Sequence, residues 1–190
     1  MTHLTVITPP AEAPLSLDAV KAFLRIGHDA EDALIESLIQ SARERLERVA
    51  GLALVVQHVQ IVWRKWPPGI RGRGARLPVA PIRQLDAVRV VDASGAGTDY
   101  TTQFQLACDR LCLRPWSRLP DIASGDRIEI DLEVGFGAAS DVPDDLCEAL
   151  LRLIGAMYTT RVPGAFTFDH VSGLPREVQA ILDARKEVRL

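Results

Sequence analysis

The sequence predicts an α+β protein in which a helical bundle of about four helices carries an inserted antiparallel β region. Two helical patterns begin the chain, alternating strand patterns fill its middle, and two more helical patterns end it. With 190 residues and 47% hydrophobic side chains, the chain is long enough to bury a core. Its length favours one domain, so we expect a single domain over residues 1–190.

The first fifty residues predict an arm followed by a helical hairpin. Residues 1–15 contain three prolines and predict an extended arm, which needs a neighbour to lie on if it is to be ordered. Residues 16–51 predict two helices, the first capped by Ser16 and ended by Gly27, the second ended by Gly51. Both helices have one apolar face, and that shared face requires a packing partner.

Residues 54–135 predict β structure because apolar side chains recur there at every second position. The clearest strand is 127–134, where four aliphatic residues alternate strictly with four charged ones, so that one face is buried and the acidic face is wet. A loop rich in proline and glycine is expected at 66–74. Further strands are expected at 54–63, 85–92, 104–107 and 111–114.

The chain is predicted to end in two helices. The segment 143–161 starts with Pro143, a favoured first helical residue, and its apolar residues cover more than half of the helix circumference. Such a helix belongs in the centre of the bundle. A last helix and tail are expected over 175–190, ending in a charged stretch.

Composition argues against several classes of function. A net charge of −3 gives no general attraction to a phosphate backbone, and 5% aromatic residues leave few platforms for base stacking. We find no basic start followed by an apolar run and no stretch of 18 apolar residues, so no membrane partner is expected. The three cysteines, an odd number without CxxC spacing, are predicted to be reduced and buried.

No residue pattern indicates catalysis, and we expect no enzyme activity and no cofactor. The four histidines are scattered and lack the HExxH spacing of a zinc site, so no metal is expected. There is no G-x-S-x-G nucleophile elbow. His170 lies beside Asp169 and Ser172, but neighbours in sequence rarely meet in triad geometry.

One short segment is strongly basic: Arg71, Arg73 and Arg76 fall within six residues of the predicted loop. Three interpretations stay open for these arginines. They could contact a neighbouring protein through salt bridges, contact DNA phosphates, or be a solvated run without a partner.

Several segments together resemble the phage head-tail connector (adaptor) proteins, including those of gene transfer agents. The similar segments are PLSLDAVKAFLR at 14–25, DAEDALI at 29–35, IDLEVGFG at 130–137 and VP at 142–143, followed by an apolar helix and by GLP at 173–175. Each motif is short, but their order and spacing are specific. The β region is similar in pattern more than in residues.

The resemblance implies a structural function at the neck of a phage or gene transfer agent particle, assembled in the bacterial cytoplasm. It implies a ring of copies, typically a dodecamer, beneath the portal protein, receiving a stopper or tail protein and extending the channel for double-stranded DNA without sequence specificity. It also implies that the C-terminal segment faces the portal, with Leu182, Arg185, Lys186, Val188, Arg189 and Leu190 as the candidate contacts. The alternative is a DNA-binding or packaging-regulatory module that uses the loop from Arg71 to Arg76.

Overall fold

The structure is a computed structural model that describes residues 2–159 and 173–185. Its helices and antiparallel sheets confirm the predicted α+β class. The described residues group into two compact units. The strand unit comprises residues up to Ala11 together with Val56–Phe136, and the helical unit comprises Glu12–Val55 together with the described residues from Gly137 onward. A single adaptor domain over 1–190 stays a prediction.

The strand unit contains two antiparallel sheets. A five-stranded sheet has the order β1-β2-β8-β4-β5, and a three-stranded sheet has the order β3-β7-β6. The strands are β1 (Thr2–Thr8), β2 (Gln57–Trp63), β3 (Ala75–Arg76), β4 (Ile82–Val91), β5 (Gly97–Asp99), β6 (Phe104–Ala107), β7 (Arg110–Leu113) and β8 (Arg127–Val134).

Strand β8 lies at the centre of the larger sheet and has the alternation that its sequence predicts. Its aliphatic residues are fully buried, and Ile130 lies opposite Ile61 of β2 and Val88 of β4 in the antiparallel register. On the other face Asp131 and Glu133 form ion pairs with β4, and the Glu133 carboxylate lies 2.8 Å from the Nε of Arg83. One face of the sheet therefore builds the core and the other faces water.

The predicted N-terminal arm contains an edge strand. Strand β1 pairs antiparallel with β2, so the arm lies on the sheet of its own chain. Its side chains from His3 to Thr8 are exposed, including Leu4, Val6 and Ile7. The sequence did not indicate this strand, because its pairing depends on residues fifty or more positions away.

The described residues of the helical unit form four α-helices: α1 (Leu17–Leu24), α2 (Asp32–Ala50), α3 (Asp144–Thr159) and α4 (Arg176–Arg185). Ser16 caps α1 as predicted, accepting a hydrogen bond from the backbone N–H of Ala19 at 3.2 Å. The expected stop at Gly27 is wrong: α1 ends earlier, where Arg25 takes the left-handed conformation with φ of 57°. Gly51 ends α2 in the same conformation, where a glycine is favoured.

Helix α3 is the centre of the helical unit and contacts each of the other three helices. Leu146, Leu150 and Leu153 are fully buried along it. Near its C-terminal end, the Tyr158 hydroxyl donates to the Glu31 carboxylate at 2.5 Å. The predicted central position of this helix follows from its wide apolar surface, which only neighbours on several sides can cover.

Candidate interaction surface

The basic segment predicted from the sequence is an ordered loop between β2 and β3. Its turn is closed by two backbone hydrogen bonds, in which the N–H groups of Gly72 and Gly74 donate to the carbonyl of Gly69 at 2.8 and 2.9 Å. Gly69 and Gly74 have φ of +90° and +80°, conformations that glycine adopts without strain. The loop therefore holds Arg71 and Arg73 in place on a hydrogen-bonded frame.

Strand β7 is hydrogen-bonded to this loop at two points. The Leu113 N–H donates to the carbonyl of Ile70 at 3.2 Å, and the side chain of Ile70 is buried. An Arg110 Nη1 donates to the carbonyl of Gly74 at 3.1 Å. Because the backbone is tied at both points, the exposed side chains between them project from a fixed base.

The three arginines of the loop differ in their surroundings. Arg76 pairs with Asp109, with its Nε 3.1 Å from the carboxylate Oδ2. Within the described part of the chain, Arg71 and Arg73 take part in no ion pair, and both are exposed. Two of the three predicted contact residues are thus available to a partner, and Arg76 is already used within the chain.

A second loop faces the first and forms a groove with it. The segment 114–119 joins Arg71 in lining an open groove of about 780 Å³. Three arginines, Arg71, Arg114 and Arg118, line this groove together with Trp116, and no carboxylate is among its lining residues. We refer to it below as the basic groove.

Trp116 is the most unusual residue of the basic groove. It is fully exposed, and its φ is +66°. The Ser117 N–H donates to the carbonyl of Arg114 at 3.2 Å, which closes a turn with Pro115 and Trp116 as its central residues. A turn with proline first and a positive φ second is a type II turn, and glycine or asparagine is usual at the place of this tryptophan.

Hydrogen bonds fix the loop that presents Trp116. The Arg114 Nε donates to the carbonyl of Phe104 at 2.9 Å, and the Trp66 indole donates to the carbonyl of Pro120 at 2.8 Å. Trp66 is itself stacked on Phe104, with ring centroids 5.0 Å apart. Arg118 lies 3.6 Å from Asp121, but both side chains are about 90% exposed, so this pair is weak.

Sequence reasoning identified one of the three arginines that line this groove, Arg71. It singled out Arg71, Arg73 and Arg76 but missed Arg114, Trp116 and Arg118, which meet Arg71 only because β7 returns beside the first loop. The available signal was the Pro115-Trp116 pair, since a proline favours the first central position of a turn and thereby places the tryptophan on the surface.

The C-terminal residues proposed as portal contacts fall into two groups. Leu182 is 5% exposed and belongs to the core of the helical unit, and Arg185 forms an ion pair with Asp145 at 2.5 Å. Lys186, Val188, Arg189 and Leu190 lie outside the described residues. A portal contact through this segment stays a prediction.

The described residues contain no group of three or more histidine, cysteine or acidic side chains that could hold a metal ion. His170, Asp169 and Ser172 lie outside the described residues. The prediction of three buried cysteines is wrong, because Cys108 is exposed and Cys112 and Cys147 are half-buried. Cys108 lies in the tight β6–β7 turn, where a small side chain at φ of 54° points to solvent. No helix of residues 2–159 or 173–185 is both long and apolar enough to cross a bilayer.

The first part of this chain matches a known protein family. Residues 14–70, which include α1, α2, β2 and the start of the basic loop, match the model of the phage gp6-like head-tail connector proteins. The resemblance to head-tail connectors is confirmed. None of the curated protein sequences compared with this chain matches it.

Solved structures of gene transfer agent particles contain chains that are similar to this one over nearly its whole length. A chain of the virion of a native gene transfer agent particle is 28% identical with a TM-score of 0.81, covering 98% of this chain and 96% of its own length. A chain of the neck of an empty gene transfer agent particle, computed with C6 symmetry, has the same identity and TM-score, with coverage of 99% and 97%. A chain of the neck of a native particle, computed with C12 symmetry, is 28% identical with a TM-score of 0.73 at the same coverage.

Proposed function

We propose that this chain is a structural head-to-tail adaptor at the neck of a tailed phage or gene transfer agent particle. The observation that supports the proposal most strongly is a fold shared over nearly the full length with chains of gene transfer agent necks, at 28% identity. The connector family match at residues 14–70 supports it independently. We further propose that the protein acts without a cofactor and catalyses no reaction.

The adaptor is proposed to function as a ring of copies beneath the portal. A compact chain of this length has a radius of gyration of roughly 16 Å, so that one copy cannot encircle a DNA duplex. Head-to-tail contacts that close on themselves generate rings, and twelve copies would agree with the C12 symmetry of one similar neck structure. In this ring the helices form a bundle with the β region inserted between α2 and α3.

The ring is proposed to extend the DNA channel and to join the portal to a stopper or tail protein. A channel that lets DNA pass should hold it weakly, and a net charge of −3 suits such a lining. The C-terminal segment, from Leu182 and Arg185 through Lys186, Val188, Arg189 and Leu190, is proposed as the portal contact. For Leu182 this contact requires α4 to move away from its own unit, since the side chain is now buried.

The experiment is a comparison of particles made with and without this chain. Negative-stain images of particles lacking it should show filled or leaking heads without tails, and complementation with the intact chain should restore tails. Normal tailed particles without the chain would refute the adaptor function.

DNA binding through the basic loop is the less favoured alternative. Arg76 is paired with Asp109, so that among the described ion pairs of this loop Arg71 and Arg73 remain for phosphate contact. Replacing Arg71, Arg73 and Arg76 together with alanine should abolish salt-sensitive DNA binding if the alternative holds, whereas an adaptor has little such binding to lose.

A further inference from the structure

The basic groove combines features that residues at binding sites share. Trp116 exposes the largest apolar side chain of the groove, and its backbone holds a conformation that tryptophan rarely adopts. Strained backbone of this kind persists where the surrounding structure enforces it and is concentrated at functional sites. Tryptophan and arginine are also the residues that most often dominate the energy of protein interfaces.

The charge of the chain is divided unequally between its two units. In the sequence of the strand unit, 1–11 and 56–136, eleven basic residues face nine acidic ones, a net of +2. In the sequence of the helical unit, 12–55 and 137–190, eleven basic residues face sixteen acidic ones, a net of −5. The two values add to the −3 of the whole chain. The positive strand unit of one copy should therefore attract the negative helical unit of a second copy.

We propose that the basic groove is a subunit interface and that it receives an acidic surface on the helical unit of the neighbouring copy. This inference rests on the proposed ring. A head-to-tail contact needs two different and complementary patches on every copy, and closure of the ring uses both patches of each subunit. Charge complementarity between the units supplies such a pair and selects one register over others.

The exposed face of α2 is the acidic surface that fits best. Glu36, Gln40 and Glu44 are spaced four residues apart, so they form one row on the helix, and all three are exposed. The Gln40 side chain donates to Glu44 at 3.3 Å, which orients that carboxylate along the row. Within the described residues Glu36 takes part in no ion pair. This row offers the Glu36 carboxylate and that of Glu44, whose Oε1 lies 3.8 Å from the Arg43 Nη2, to the guanidinium groups of Arg71 and Arg118.

A protein partner fits the basic groove better than DNA does. Apolar side chains also line the groove beside the arginines, among them Leu113, Pro115 and Trp116. Phosphate contact needs positive charge and does not use an indole, and an intact duplex exposes no unstacked base for Trp116 to meet. An interface needs both an apolar anchor and charged residues around it, which is the composition found here.

Photocrosslinking in assembled particles tests the proposal. With Trp116 replaced by the photocrosslinker p-benzoylphenylalanine, irradiation should convert this chain to crosslinked dimers whose second peptide maps to the helical unit, within 12–55 or 137–190. The same photocrosslinker in place of Ser94, an exposed residue of the β4–β5 turn, is the matched control and should give no such dimer. If the Trp116 variant does not enter particles, the exposed Arg118 serves as the second position.

Charge reversal tests the same interface without a crosslinker. The pair Arg71→Glu and Arg118→Glu should lower the yield of tailed particles at least tenfold, and adding Glu36→Arg and Glu44→Arg should restore it. Lys65→Glu is the control from the same unit, because Lys65 is an exposed cation that does not line the groove, and it should leave the yield unchanged.

The outcomes separate this inference from the proposed function. Crosslinks from position 116 or 118 to DNA, to a different protein or to the neighbour's strand unit, or particles that form fully without any crosslink, would refute the interface while the adaptor function stands. Normal tails in the complete absence of the chain would refute the adaptor function itself.

Discussion

Gly74 should be the least replaceable residue of the basic loop. Its φ is +80°, and a Cβ built on it would collide with the Cys112 Sγ and lie 3.1 Å from the Leu111 carbonyl oxygen. In Gly74→Ala the left-handed conformation costs about 1–2 kcal/mol. The crowding against β7 adds about 1 kcal/mol, the low end for overpacking, because the Cys112 thiol can rotate away while the carbonyl cannot. We therefore expect a loss of about 2–3 kcal/mol in the free energy of unfolding.

Urea unfolding followed by tryptophan fluorescence measures this loss. All three tryptophans, Trp63, Trp66 and Trp116, lie in the strand unit, so the fluorescence signal reports the unit that contains Gly74. A change in midpoint without a change in the dependence on urea concentration identifies a true change in stability. The same variant should also lose assembly into particles, because the loop that holds Arg71 is displaced.

Two further variants separate the causes. Gly72→Ala is the matched control: its φ is not left-handed and the nearest atom to an added Cβ is the Gly69 oxygen at 3.8 Å, so the change should stay within about 0.5 kcal/mol. Combining Gly74→Ala with Cys112→Ala removes the sulfur and should leave mainly the backbone cost of about 1–2 kcal/mol. If Gly74→Ala destabilises no more than Gly72→Ala, the strain assigned to this loop does not exist.

Three other variants test the core, the exposed tryptophan and a turn. Leu150 is fully buried in the centre of α3, and Leu150→Ala should lower the free energy of unfolding by about 2.7–5 kcal/mol, measured by urea unfolding followed by circular dichroism. Leu34 is 39% exposed, and Leu34→Ala should lower it by less than about 1 kcal/mol. Equal losses would contradict the assignment of the core. Trp116→Asn should raise the free energy of unfolding of the isolated chain by about 0.5–1 kcal/mol, because asparagine tolerates a positive φ. The same variant should lower the yield of assembled particles. A destabilised chain would mean that the indole packs on its own molecule. Hydrogen bonds from Ser94 and from the Ala96 N–H hold the pKa of Asp92 below its usual 3.8, so its stabilising contribution is complete above that pH and is lost as the pH falls through the folded pKa. Asp92→Asn keeps a turn acceptor but cannot titrate, and its stability should fall less steeply with acid than that of the wild type; parallel curves would refute this role.

The sequence was sufficient to predict most helices and strands, because helix caps and apolar periodicity depend on residues close together in the chain. The alternation of Ile128, Ile130 and Leu132 requires a half-buried strand whatever lies beside it, and β8 has that form. Ser16 and Gly51 act at helix ends through hydrogen bonds and dihedral angles within a few residues. The order of the connector-like segments likewise indicates the family from the sequence alone.

Pairing partners could not be predicted in the same way. Strand β1 is ordered because its backbone meets β2, and nothing within residues 2–8 specifies that meeting. Leu182 looked like a free contact at the chain end, but packing within the helical unit buries it. Cys108 looked buried by its apolar neighbours, yet the tight turn at that position exposes it.

By itself, the sequence determined the α+β class, the placement of most elements and the resemblance to head-tail connectors, since these depend on spacing along the chain. Only the tertiary structure decided which charged residues work together. Arg71 and Arg118 are 47 positions apart and share one groove because β7 returns beside the basic loop, whereas Arg76, in the same loop as Arg71, is neutralised by Asp109. Electrostatic interactions act over a few ångströms of space, and distance along the sequence does not measure that space.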